Sequence, residues 1–273
     1  MTTRTYEGVL MDAVAAKPVI DSLSVEKPLQ ICINSVPFTI TMRTPGSDVD
    51  LIRGLLHSED VVNDLKFNPK MVELKSEEKR ITDSVDLIIP EKYLGLGYTN
   101  SRSLLSVSSC GICGNTKMPE LDCQVTLNQS GRPLAQGLIA SLFEQMKLHQ
   151  PDFEQSGGTH AAAAFDGQGN LLAVREDIGR HNAVDKVIGR LILHNELSEA
   201  QVLTVSGRIS YEIAIKAFKA GIPVLAAVSA PSSLAVDYAK ELGITLIGFC
   251  RANRFTCYAN PQRINHLSCI SSQ

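Results

Sequence analysis

The sequence predicts an α/β protein: a C-terminal domain on a mixed, partly parallel sheet, preceded by a smaller α+β domain. Three observations carry this. From residue 134 onward, short apolar runs alternate with helix-period segments joined by glycine-ended links, the pattern of parallel strands with right-handed crossovers. Before residue 92, short β-like runs surround one helix-period segment. The charge balance changes at the same place. Residues 1–95 hold 15 acids and 11 bases, whereas residues 96–273 hold 14 acids and 15 bases.

Residues 29–34 (LQICIN) and 37–43 (PFTITMR) predict a hairpin through Ser35 and Val36. Residues 47–57 follow as a helix, with Ser47 and Asp48 at capping positions and Val49, Ile52, Leu55 and Leu56 on one face. Residues 71–74 and 84–90 are two further strand-like runs. Residues 93–119 contain four glycines, many Ser, Thr and Asn, and no sustained period. They predict an exposed, mobile connection, and a structureless stretch of this length is usually either functional or disordered. The expected division is a small domain at 1–92, a mobile loop at 93–128 and a larger domain at 129–273.

In the larger domain, residues 134–148 predict a helix with Leu138, Leu142, Phe143 and Met146 on its apolar side. Residues 159–165 and 171–175 predict a hairpin through 166–170. The helix at 182–193 turns Val184, Val187, Ile188, Leu191 and Ile192 inward. A strand at 201–205 leads to a helix at 211–220, which Gly221 and Pro223 stop. A strand at 224–228 leads to a helix at 233–242 with Leu234, Ala235, Tyr238, Ala239 and Leu242 as its buried stripe. Gly243 ends that helix, and residues 244–249 form the next strand.

The composition excludes several classes. With 273 residues, 44% hydrophobic and 20% charged, the chain can bury a full core. A net charge of −3 argues against a basic nucleic-acid coat or a polybasic membrane anchor. No apolar run approaches the ~20 residues that span a bilayer. The first thirty residues mix acids and bases, unlike a secretory leader. The expectation is a cytoplasmic protein with no nucleic-acid or membrane partner, whose seven cysteines are thiols. Trp is absent and aromatics are 5%, too few for a base-stacking platform.

Four motifs can carry chemistry. The first is Ser108-Ser109-Cys110-Gly111-Ile112-Cys113-Gly114, two cysteines three apart in a Gly- and Ser-rich loop. Such a pair serves dithiol redox chemistry, half a zinc site or persulfide carriage, and each use needs a thiolate. Gly114-Asn115 and Pro119 prevent a thioredoxin-like helix start. Zinc needs four ligands, and only Cys123 adds a third.

The second motif, Arg175-Glu176-Asp177-Ile178-Gly179-Arg180-His181-Asn182, packs charge between a strand and a helix. Open α/β sheets place their sites at such junctions, and a solvated, capping turn is the plainer alternative. Here His181 can carry a proton, and Asp177 can orient it or bind a base edge. The third, Ser206-Gly207-Arg208-Ile209-Ser210, has the same setting. Arg208 can clamp a phosphate at a helix N-terminus, with N-capping by Ser206 or Ser210 as the alternative. The fourth, Phe249-Cys250-Arg251-Ala252-Asn253-Arg254, ends a strand. No Asp or Glu follows Glu241, while Arg251, Arg254 and Arg263 remain. A locally basic strand end suits polyphosphate, unless the depletion is chance. His160 reads equally as structural or functional, and Ser232 reads as a helix cap.

In series, SSCGICG, GGTHAAAAF, REDIGRHNAVDK, SGRISYE and FCRANRF resemble the FdhD family, sulfurtransferase accessory proteins of molybdenum or tungsten formate dehydrogenases. The resemblance runs from residue 30 to 258 and is densest from Cys110 onward. It implies a cytidine-deaminase-like C-terminal domain, a smaller attached domain and a homodimer. It also implies that a cysteine desulfurase loads sulfur onto Cys110, with Cys113 as its partner. The acceptor would be the molybdenum bis(molybdopterin guanine dinucleotide) cofactor, whose binding segment in the family matches residues 249–254. Deaminase chemistry is not implied, because the H-x-E and P-C-x-x-C segments of zinc deaminases are missing. Arg208, His181 and Asp177 are the further expected cofactor contacts, and no structural metal is expected. The rival readings are a cofactor chaperone that uses the cysteine loop only for docking and a zinc-dependent nucleotide hydrolase, the latter disfavoured by its missing ligands.

Overall fold

The computed structural model describes residues 1–74, 83–101, 125–128, 133–251 and 254–265. It opens with a hairpin that the sequence reading did not assign, β1 (Thr3–Met11) and β2 (Ala16–Ser24), pairing Thr3 with Ser24 and Met11 with Ala16. Most of its side chains are exposed on both faces. Burial therefore imposes no two-residue hydrophobic period on this stretch, and none is legible.

Next come β3 (Lys27–Ile33) and β4 (Val36–Arg43), antiparallel as expected. The turn is Asn34–Ser35, one residue earlier than expected. Both residues have positive φ, the geometry that matches strand twist and that Asn tolerates. Helix α1 (Asp48–Ser58) buries Leu51, Ile52 and Leu56 and leaves Val49 exposed, so its inner face is rotated from the expected one. Ser47 holds the cap position with φ +54° and makes no capping bond through its side chain. Strands β5 (Lys70–Leu74) and β6 (Asp83–Ile88) complete a four-stranded sheet ordered β4-β3-β6-β5.

The segment after residue 93 departs from expectation where it is described. The chain forms α2 (Leu96–Ser101), and Tyr98 is buried in the core beneath α1. A Cβ on Gly95 or Gly97 would lie 2.2 Å from the Asp60 carbonyl oxygen or 1.7 Å from that of Glu59. These glycines permit close backbone packing rather than loop motion.

A two-residue strand β7 (Leu134–Ala135) precedes α3 (Gln136–Lys147), which buries Ile139, Leu142 and Met146. The short helix α4 (Pro151–Ser156) was not anticipated. Strands β8 (His160–Phe165) and β9 (Leu171–Asp177) form the expected hairpin. Alternation then proceeds through α5 (Arg180–Leu193), β10 (Val202–Val205), α6 (Tyr211–Lys219), β11 (Val224–Ala227), α7 (Ser233–Glu241) and β12 (Thr245–Arg251). Two further strands, β13 (Arg254–Ala259) and β14 (Ile264–Asn265), close the described chain. Ser232 caps α7 as expected, accepting from Ala235 N at 3.2 Å, whereas Leu234 is exposed instead of joining the stripe.

The principal sheet has six strands in the order β13-β12-β11-β10-β8-β9. β10, β11 and β12 are parallel, and the other neighbours are antiparallel. Alternate side chains point to opposite faces. Ala162 and Ala164 join the core beneath α5, α6 and α7, while Ala161, Ala163 and Phe165 join the core beneath α3. The architecture is mixed α/β.

Helix α1 of the four-stranded sheet lies directly on α5 of the six-stranded one. A Cβ on Gly54 would stand 1.8 Å from the Asp185 carbonyl oxygen, and one on Gly189 1.8 Å from that of Asp50. Beside this crossing, Lys216 Nζ contacts both Asp185 carboxylate oxygens at 2.8 Å, and Ser58 donates to Asp185 at 2.7 Å. Burial opposes the Lys216 charge. Asp185 and Glu59 more than offset it, holding its pKa above the ordinary lysine value.

Candidate functional site

Strand direction gathers the expected residues. The parallel strands β10, β11 and β12 end at one edge of the sheet. β8 begins there, since it runs against β10, and β9 ends there, with Asp177 opposite His160. β13 runs against β12, so Arg254 starts at the same edge and pairs with Arg251. Helices α5, α6 and α7 therefore all begin along this edge. The loops before α6 and α7 are tied together by Ile209 N donating to Ala230 O at 3.2 Å and Ser232 N to Ile209 O at 2.9 Å.

Asp177 lies at this edge but faces inward and is fully buried. Lys186 Nζ contacts its Oδ2 at 2.7 Å, and the Thr44 backbone N–H donates to the same oxygen at 3.1 Å. Its Oδ1 accepts from Gly179 N at 2.8 Å and from Asn182 Nδ2 at 3.0 Å. Asn182 also donates to Met42 O, and Lys186 to Thr44 O. With both oxygens so committed, Asp177 fastens the end of β4 to the start of α5. Arg175 pairs with Asp50 at 2.7 Å, and Glu176 accepts the first backbone N–H groups of α4. Much of the charged motif is therefore internal scaffolding.

Arg180 and His181 are the members of that motif left beside the neighbouring loop. His181 Nε2 stands 2.8 Å from Glu212 Oε2 and 3.1 Å from Ser210 Oγ. Ser210 also donates to Glu212 at 3.4 Å. Both partners meet the same ring nitrogen, unlike a nucleophilic triad, which needs one on each. The hydrogen bond from His181 is the leading cause that holds Glu212 below the ordinary glutamate pKa.

His160 reaches in from β8. Burial pushes its pKa down, and the Arg180 and His181 charges add to this. Gly207 faces it closely, since a Cβ there would lie 3.3 Å from His160 Nδ1. Arg180 Nε and Tyr211 Oη are buried without hydrogen-bond partners among the described residues. Ser206 and Ser210 use their hydroxyls elsewhere, Ser206 accepting from Ala161 N, and neither caps α6 through its side chain. Arg208 is exposed.

Farther along the edge, Phe249, Arg251, Arg254, Phe255 and Thr256 line a cleft of about 360 Å³. Phe249 is 43% exposed and has φ +55°, a left-handed conformation unusual for a bulky residue. The β12–β13 register shifts between Gly248 and Arg251. Arg251 and Arg254 are both exposed. Cys250 points the other way, into the core beneath α3, where burial pushes its thiol up to about 12. This corrects its expected place among the ligand contacts, because alternate strand residues face opposite sides.

Cys110, Cys113, Cys123, Ala252 and Asn253 lie outside the described residues. Glu212 and Ser210 belong to this site without having been singled out as His181 partners. An acid in the first turn of a helix reads as a dipole partner, and only the α5–α6 arrangement brings it to His181.

The FdhD/NarQ family model matches residues 24–265. A sulfur carrier protein FdhD of Nocardia farcinica is 42% identical over 91% of this chain and 90% of its own. That of Sulfolobus acidocaldarius is 40% identical over 90% and 92%, and that of Mycobacterium tuberculosis 41% over 96% and 97%. A crystal structure described as a formate dehydrogenase accessory protein, from Desulfotalea psychrophila, superposes with a TM-score of 0.74 at 20% identity. The match covers 97% of this chain and all of that one.

Proposed function

The chain belongs to the FdhD/NarQ family, and from that premise we propose that it is a sulfur carrier for a formate dehydrogenase. In this reading a cysteine desulfurase supplies the sulfur, and the bis(molybdopterin guanine dinucleotide) form of the molybdenum cofactor receives it. The observation that carries the proposal is the similarity, over nine-tenths of the chain, to proteins named as sulfur carriers.

The chemistry of the Cys110–Cys113 pair suits the task. The Cys110 thiolate attacks the outer sulfur of a donor persulfide, giving Cys110–S–SH and releasing the donor thiolate. Attack of the Cys113 thiolate on Cys110 Sγ then forms a Cys110–Cys113 disulfide and frees hydrosulfide, as in thiol–disulfide exchange. A cellular dithiol reductant resets the pair.

The sheet edge supports the acceptor assignment. Phe249 and Phe255 offer aromatic surface for guanine, and Arg251, Arg254 and Arg208 offer charge for phosphates. The left-handed Phe249 is the strained, exposed aromatic that binding sites tend to maintain. A cytidine-deaminase-like larger domain at 129–273, the small domain at 1–92 and a homodimer belong to the same proposal. When bound, the molybdenum centre supplies the site that accepts sulfur.

The test is intact-protein mass spectrometry after incubation with a cysteine desulfurase and cysteine. The expected outcome is a reducible gain of one sulfur atom, absent in Cys110→Ala, which also fails to activate formate dehydrogenase. Activation retained by Cys110→Ala would instead support the chaperone reading. Single-turnover transfer unchanged in Cys113→Ala would remove the disulfide step alone.

A further inference from the structure

The β1–β2 hairpin is held at its base. Thr2 Oγ1 donates to Asp152 at 2.6 Å, Thr3 Oγ1 donates to Gln155 Oε1 at 3.1 Å, and the Ser24 and Ser156 hydroxyls stand 2.6 Å apart. All three partners belong to α4. Past this base the strands run on to a turn that Asp12 closes, accepting from Val14 N and Ala15 N at 2.8 Å.

The outer half of this arm is apolar. Val9, Leu10, Met11, Val14 and Ile20 are 57% to 95% exposed. The strand register puts Val9, Met11 and Ile20 on one face with Ala16 and Pro18. A two-stranded hairpin has too little core to hold itself in water, and a contiguous exposed apolar patch marks an interaction surface.

A second open surface adjoins the arm. β9 ends the six-stranded sheet, and no described strand pairs with its outer edge. Proteins cover or blunt such edges. Leu148, Pro151, Leu171, Leu172 and Val174 help to line a cleft of about 550 Å³ beside it, and Leu148 is 82% exposed. Pro151 and Glu154 of α4 border this cleft, while Asp152, Gln155 and Ser156 of the same helix hold the arm. No residue of the hairpin lines the cleft of its own chain.

Size chooses the occupant. Each side of a standard interface supplies about 20–30 residues. The outer arm, residues 6–21, supplies sixteen, and the ten residues lining the cleft bring the surface within that range. A partner that covers the arm alone falls short and leaves the β9 edge open. A second copy covers both at once, because a two-fold axis beside α4 carries each arm to the other copy's cleft.

We propose that the β1–β2 hairpin is a dimerisation arm, seated in the cleft beside β9 of a second copy of this chain, whose own arm is received in return. This rests on the homodimer reading above and names its surface.

The test is sedimentation velocity over a concentration series for wild type, a Val9→Asp/Met11→Asp arm variant, a Leu148→Asp cleft variant and an equimolar mixture of the two variants. All three positions are exposed, so the variants should keep the wild-type circular dichroism. Wild type should dimerise. The arm variant should dissociate with a constant at least about a hundredfold higher, and the cleft variant at least about tenfold higher. The mixture should dimerise more tightly than either variant alone, because a mixed pair keeps one intact arm and one intact cleft that meet.

An arm variant that dimerises like wild type would overturn this assignment and leave the homodimer reading standing. A mixture no tighter than its components would overturn the reciprocal seating. Wild type monomeric throughout the series would overturn the homodimer as well, without touching the sulfur-carrier reading.

Discussion

His57 sits near the end of α1, with Nε2 3.1 Å from the Lys219 carbonyl oxygen and Nδ1 buried without a partner among the described residues. Burial, followed by the nearby Arg53 charge, pushes its pKa from 6.5 down to about 4. The unfolded chain therefore takes up a proton that the folded one refuses. The resulting loss of stability develops as pH falls through 6.5 toward 4, and reaches at most about 3 kcal/mol. His57→Gln should lack this part of the acid slope while an amide N–H still reaches the Lys219 carbonyl. Urea unfolding near pH 7 and near pH 4.5 measures it. An identical acid slope in the variant would show that His57 does not set it. Nothing around position 57 in the sequence announces this environment, since Lys219 lies 162 residues away. Cys250 was misplaced for a related reason: strand alternation forces neighbours to opposite faces, but which member of a short motif faces the core depends on what packs beneath the strand.

The α1–α5 crossing depends on two glycines. An added Cβ at Gly54 or Gly189 would meet a carbonyl oxygen of the opposing helix at 1.8 Å, and a helix backbone yields far less readily than a flexible side chain. Gly54→Ala and Gly189→Ala should each cost at least about 3 kcal/mol, the upper part of the overpacking range. Gly137→Ala, at a helical position with open space around it, should be neutral or gain up to about 1 kcal/mol. Thermal and chemical denaturation of the three variants test this contrast. Equal midpoints for Gly54→Ala and wild type would show that the helices can separate without loss. Helices in the larger domain were legible because each buries one face at the helical period, and the central strands β8, β10 and β11, buried on both faces, because they read as short apolar runs between turn signals. The first hairpin and α4 were not, because an exposed hairpin and a six-residue helix carry too little periodic burial to declare themselves.

In the six-stranded sheet the ends of β9, β10, β11 and β12 and the starts of β8 and β13 share one edge, where Phe249, Arg251, Arg254, Arg208 and His181 stand within a single band of loops and helix starts. Arg251→Ala and Arg254→Ala should each weaken guanosine diphosphate binding about tenfold, as expected for loss of a charge-assisted contact to phosphate. They should also flatten its dependence on salt. Arg190→Ala offers a control. Its guanidinium pairs with Glu196 near the far end of α5, about 15 Å along the helix from the site. Calorimetry at two ionic strengths checks both variants against this control. Unchanged affinity in both would remove the cleft from the nucleotide site.

Strand and helix periods, turn residues and the five ordered motifs were properties of the sequence. They fixed the α/β class, most elements of the larger domain and the family resemblance, because each is written in local spacing or residue order. Only the tertiary structure decided which charged residues act inward. Asp177 stands at the same strand–helix junction as His181, and Asp185, Lys186 and Lys216 lie a turn or more into the helices that open along this edge. They became scaffolding because α1 and the end of β4 close over them. Burial and pairing arise between elements distant in the chain, so local spacing could nominate Asp177, His181 and Arg208 together but could not divide them between site and core.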